Sequence, residues 1–201
     1  MRCVALLLLV CASSCASTHG SVPPLGTARA SSDFSTYQIR RVGVMPPHGE
    51  GLDPELAAAL RDALASAFTA ETNYELVPLT QAMTESVAAL EPARTGRTRP
   101  EAVLDLARRA SLDAVMSVCV TDLRPYEPVR MGLEIDLVVV ETGLTTWSCT
   151  VRVDTGDAYT REVIQIWQES MRVGGETERA VDFLSPRRIG EFAAAQAAML
   201  L

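Results

Sequence analysis

The sequence predicts an α/β (α+β) domain: a single mixed sheet of about five strands with helices packed on it, in the order β-α-β-α-α-β-β-β-α-α. Three observations predict it. Apolar residues alternate along successive segments in the second half of the chain, they recur at three and four residues in the segments to either side, and 201 residues leave room for one domain. Hydrophobic residues make up 48% and charged residues 21%, a globular balance, while aromatics at 5% leave the core to aliphatic side chains and alanine.

Ile39 to Met45 reads as a short strand stopped by Pro46-Pro47, and His48 to Leu52 as a loop carrying Gly49 and Gly51. Asp53-Pro54 opens a helix, the aspartate as N-cap and the proline at the first helical position, and Leu56, Leu60, Ala63, Leu64, Ala67 and Phe68 form its apolar face. Tyr74 to Pro78 is a second short strand. Thr80 caps a helix to about Leu90, a polar loop runs from Glu91 to Arg99, and Pro100 starts a helix that ends near Ser111. Three strands follow, Ala114 to Leu123, Met131 to Glu141 and Thr145 to Val153, with connections through Pro125 and Gly143 that suit antiparallel hairpins. Leu133, Ile135, Leu137 and Val139 alternate with Glu134 and Asp136, so one face is buried and the other wet or partly covered. Asp157 or Gly156 caps a helix with Tyr159, Val163, Ile166 and Trp167 on one side, and Ser185-Pro186 caps the last helix, with Ile189, Phe192 and Ala193.

The N-terminal region has a different character. Met1 to Ser14 has the anatomy of a secretory signal, with Arg2, an apolar run from Val4 to Val10 and small residues at 12 to 14, and it is too short to cross a bilayer. Ala12-Ser13-Ser14-Cys15 resembles a bacterial lipobox, with Ala12 in place of the usual leucine. That resemblance implies a diacylglyceryl thioether on Cys15 and an acylated amino terminus, which together hold a protein permanently on a leaflet. Ala16 and Ser17 resemble an outer-membrane sorting signal and imply the periplasmic face of that membrane. Residues 15–37, rich in Ser, Thr, Pro and Gly, read as a tether, and residues 38–201 as the folded domain. Cys119 and Cys149 are then the remaining thiols in an oxidising compartment, and strand alternation sets them on different sides of the sheet, against a disulfide.

Several stretches resemble the periplasmic lipoprotein α/β domains related to LpoB, an activator of a penicillin-binding protein, to the N-terminal domain of TolB and to the curli-secretion protein CsgG. They are Arg41 to Pro47, Glu141-Thr142-Gly143 followed by Trp147, Ser185-Pro186-Arg187-Arg188, and Arg124-Pro125-Tyr126-Glu127-Pro128-Val129-Arg130. The resemblance implies a binding or assembly role at the envelope, with an envelope protein as partner. The chain has neither the repeated alternation of a barrel nor the length for a propeller.

Charge and motifs narrow the function classes. All 18 basic residues are arginine, and against 25 acidic ones they leave a net charge of −7, which disfavours nucleic acid as a ligand. The only histidines are His19 and His48, no His/Cys cluster has metal spacing, and no phosphate-loop, dinucleotide or Gly-x-Ser-x-Gly pattern occurs, so no metal or cofactor is expected. Val153-Asp154-Thr155-Gly156 resembles the Asp-Thr-Gly of aspartic proteases, in which two aspartates share a proton. A homodimeric hydrolase using Asp154 is the competing class. The motif leads straight into a helix, however, which favours a turn followed by a cap. Glu134, Asp136 and Glu141 read as a solvated acidic line, Arg94, Arg97 and Arg99 as a solvated charge run, and Trp147 and Trp167 as core. Tyr126, set between Pro125 and Pro128 and flanked by Arg124 and Arg130, is the candidate for partner recognition, because a stiffened exposed aromatic loses little entropy on binding. A tyrosine folded back onto the sheet edge is the alternative.

Overall fold

The computed structural model describes residues 24–80, 82–84, 100–171 and 185–201. Its strands are β1 (Gly26–Ala30), β2 (Arg41–Val44), β3 (His48–Gly49), β4 (Glu75–Pro78), β5 (Ala114–Arg124), β6 (Arg130–Val139) and β7 (Thr145–Asp154). Its helices are α1 (Pro54–Glu71), α2 (Pro100–Arg109), α3 (Ala158–Met171) and α4 (Pro186–Ala198), with a 3-10 turn at Phe34–Thr36. All seven strands join one mixed sheet in the order β1-β7-β6-β5-β2-β4, and β3 pairs with β5. The pairings of β2 with β4 and β5, and of β3 with β5, are parallel; β5, β6, β7 and β1 run antiparallel.

Local chemistry sets the element boundaries. Asp53 Oδ1 accepts from Leu56 N at 2.8 Å, and Ser185 Oγ accepts from Arg188 N at 3.3 Å, so both Xaa-Pro helix starts carry the expected caps. Residues 82–84 are helical, with Thr80 Oγ1 accepting from Met83 N; the remainder of the helix expected to reach Leu90 lies outside the described residues. Gly143 turns the β6–β7 connection at φ +71°, where a side chain would be strained.

The main core lies on one face of the sheet. Leu133, Ile135 and Leu137 of β6, with Met116 and Val118 of β5 and Trp147, Val151 and Val153 of β7, meet Leu60, Leu64 and Phe68 of α1, Val163 and Ile164 of α3, and Ile189 and Phe192 of α4. Trp147 packs edge-on to Phe68, and Trp167 to Phe192. A smaller cluster on the other face holds Val103, Leu106 and Ala107 of α2 against Leu79, Leu112, Val115 and Val140. Gly43 belongs to this side: a Cβ there would sit 2.5 Å from Leu112 Cδ1.

Two strands went unread in the sequence. The stretch taken as a tether to residue 37 contains β1, paired with β7 from Gly26↔Val151 to Ala30↔Trp147, followed by the 3-10 turn. The ordered domain therefore starts ahead of residue 38. Leu25 N donates to Oε1 of the fully buried Gln196 on α4 at 2.7 Å, and Trp147 Nε1 donates to Leu200 O at 3.3 Å. β1 alternates only glycine and alanine with Thr27 and Arg29, a weak apolar signal, and is held by main-chain pairing and by Ala28 packed on the main core. β3, read as loop, has only two residues and is fixed by His48↔Cys119.

Candidate functional site

The β5–β6 connection, residues 125–129, projects from one end of the sheet. Tyr126 is 78% exposed at its tip, so the folded-back alternative does not hold. The Glu127–Pro128 peptide is cis. Behind the tip, the antiparallel register brings three candidate residues into one small network. Arg124 pairs with Arg130 across β5 and β6, and Arg130 pairs with Asp154 across β6 and β7. Arg130 Nε lies 2.9 Å from Asp154 Oδ2, a half-exposed ion pair. Arg130 thus braces the hairpin base and is not a free contact group, whereas Arg124 has no ion pair among the described residues.

Asp154 does the work of a turn residue. Its Oδ1 accepts from Gly156 N at 2.8 Å while Oδ2 holds Arg130, so both carboxylate oxygens are engaged within one chain. Thr155 N donates to Val129 O at 2.9 Å, tying this turn to the hairpin loop. Asp157 caps α3, its Oδ2 accepting from Thr160 N at 2.8 Å and from Thr160 Oγ1 at 3.0 Å. These two bonds, the backbone one first, hold the Asp157 carboxyl below its usual range. Arg161 completes the corner by donating to Thr155 O and Gly156 O. Val153-Asp154-Thr155-Gly156 is thus a turn into a capped helix, as its position before an amphipathic segment suggests. Tyr159, half exposed near the start of α3, also stands at this end of the sheet; sequence reasoning had placed it on the helix's apolar side.

Beyond the α2 patch, the outer face of the β5–β6–β7 sheet is polar. Cys119, Glu134 and Thr150 form one cross-strand row, and Ser117, Asp136 and Ser148 the next. Cys119 faces this side and Cys149 the main core, both as free thiols. Burial raises the Cys119 thiol, with Glu134 and then Asp136 adding to the effect; burial chiefly, and then Asp136, pushes Cys149 up to about 12. His48 reaches the same row through its pairing with Cys119, and burial lowers its pKa. Among the described residues no group of three His, Cys, Asp or Glu side chains has metal-binding geometry, and no helix is long and apolar enough to cross a membrane. Cys15, His19, Arg94, Arg97 and Arg99 lie outside the described residues. A groove of about 690 Å³ between Phe34, Tyr37, Tyr74 and Leu201 went unforeseen, because its lining comes from three separated stretches of chain.

Neither a family model nor a curated protein matches this sequence. Solved structures with a similar backbone include the PelC dodecamer from Paraburkholderia phytofirmans, 17% identical over 81% of this chain and 97% of that one, with a TM-score of 0.45. Lipoprotein GNA1162 from Neisseria meningitidis is 16% identical over 65% of this chain and 95% of that one, TM-score 0.44. The LpoB C-terminal domain from Escherichia coli is 18% identical over 60% and 92%, TM-score 0.39.

Proposed function

We propose that this chain is a lipid-anchored envelope lipoprotein, attached through Cys15 on the periplasmic face of the outer membrane, whose domain binds another envelope protein without catalysing a reaction. Cell-wall synthesis or envelope assembly is the process that suits such a module. The observation that carries the binding role is Tyr126, exposed at the tip of a loop stiffened by two prolines and braced at its base by Arg130 and Asp154. Arg124 beside it supplies an uncommitted charge. The engagement of both Asp154 oxygens supports a binding module over a hydrolase.

A photo-crosslinking side chain at position 126 of the full chain, in its own envelope, should capture one discrete polypeptide, and Tyr126→Ala should weaken co-purification of that polypeptide at least tenfold. Absence of an adduct counts against the loop as the contact. The anchor is tested separately by the intact mass of the mature chain, which should begin at Cys15 and carry lipid. Asp154→Asn keeps the turn acceptor and loses a half-exposed ion pair, so it should cost less than about 1 kcal/mol and leave partner capture intact. A proteolytic activity abolished by that substitution would restore the hydrolase reading.

A further inference from the structure

β2 and β3 lie in succession along β5, separated by Pro46-Pro47, and together they bring three soft donors to the outer face of the sheet. Along β2, Val42 and Val44 lie in the main core and Gly43 on the α2 side. Met45 follows the same alternation: its N–H donates to Met116 O at 2.9 Å, and its side chain is buried in the cluster under α2. Past the prolines, pairing with β5 resumes at His48↔Cys119. Paired residues on neighbouring strands point to the same side, so the half-buried imidazole and thiol are neighbours on the outer face. Among the described residues neither side chain has a hydrogen-bond partner. Cys149, on the opposite face, is out of reach of both.

We propose that Cys119 and His48 form a binding site for Cu(I), with Met45 as a third, weaker donor from the α2 side. A metal bound to both keeps sulfur and nitrogen roughly 4 Å apart, a separation open to side chains on strands about 4.8 Å apart. Donor chemistry selects the ion. Zinc takes three or four ligands, and among the described residues no group of three His, Cys, Asp or Glu side chains has metal-binding geometry. Cu(I) is satisfied by two or three soft donors, and thiolate, imidazole and thioether are such a set. Burial keeps the His48 imidazole neutral at pH 7, with a lone pair to give. Glu134 and Asp136, near enough to act on the Cys119 thiol, supply a negative field that favours a bound cation. The ion enters already reduced and displaces the thiol proton, which passes to solvent; no electron moves. The site is separate from the Tyr126 loop and does not rest on the role assigned to it.

The full-length chain, titrated anaerobically with Cu(I) in competition with the chelator ferrozine, should withdraw one equivalent of the metal. Cys119→Ser and His48→Gln should each lower the affinity at least tenfold, Met45→Leu about threefold, and Cys149→Ala should leave it unchanged. No withdrawal by the parent chain, or full affinity in either Cys119→Ser or His48→Gln, overturns the proposal. Loss of the equivalent in Cys149→Ala alone would move the metal to the core thiol and overturns it as well. X-ray absorption at the copper edge gives a second measurement, made on the parent chain and so independent of whether any variant folds. It should show sulfur together with an imidazole nitrogen around a monovalent ion. A spectrum with sulfur alone, or with no sulfur, overturns the assignment of this pair.

Discussion

On β6, Leu133, Ile135 and Leu137 lie in the cluster closed by α1 and α4, while Glu134 and Asp136, their immediate neighbours, stand on the opposite face. The same contrast runs along β7, where Trp147, Cys149, Val151 and Val153 are buried, Thr150 and Arg152 are exposed, and Ser148 is half-buried. One backbone thus serves two purposes at a spacing of one residue. The inner face supplies stability through apolar burial. The outer face, relieved of that duty beyond the α2 patch, is open to variation in charge and hydrogen bonding at small cost to the fold.

The largest break in this comparison should come from the inner face. Phe192→Ala removes a fully buried ring between Trp167 and the sheet, and should cost about 3–5 kcal/mol, seen as a lower urea midpoint. Thiol labelling gives the next contrast. At pH 8 the folded protein should react with iodoacetamide at Cys119 far sooner than at Cys149, whose pKa of about 12 leaves almost no thiolate, and Glu134→Gln should speed Cys119 further. Peptide mass analysis reads both rates, and equal labelling would erase the distinction between the faces. A smaller effect belongs to His48. Its folded pKa is lowered from 6.5, so the unfolded chain takes up the proton first as the solution is acidified. The contribution of neutral His48 is complete above about pH 6.5 and declines below it. His48→Gln should therefore flatten the fall in melting temperature between pH 7.5 and 5.5. Glu134→Ala, on the outer face, should change stability by less than about 0.5 kcal/mol.

The long hairpin strands were legible because buried and open positions alternate from Leu133 to Leu137 and from Trp147 to Val153, and α1 and α4 because aspartate or serine before proline marks a helix start. β1 was not legible: Gly-Thr-Ala-Arg-Ala has no buried stripe, and its strand geometry is imposed by β7. At the candidate site, the flanking prolines marked Tyr126 as a stiffened loop residue but left open a ring folded back onto the sheet edge, and the structure decides for exposure. The Arg130–Asp154 pair could not, since it depends on a register between strands that no single segment encodes. Gln196 escaped notice for a similar reason: a polar residue in an alanine-rich helix looks solvent-facing until Leu25 is found against it.

That last contact joins the start of β1 to the final helix. Leu25 is bonded to Gln196 near the end of α4, and Gly26 lies so close to Leu200 that a Cβ there would come within 3.0 Å of it. Leu25 is therefore tied at once to the helix through its N–H and to the sheet through its carbonyl, which accepts from Arg152 N, so lifting β1 from β7 must also break its hold on the final helix.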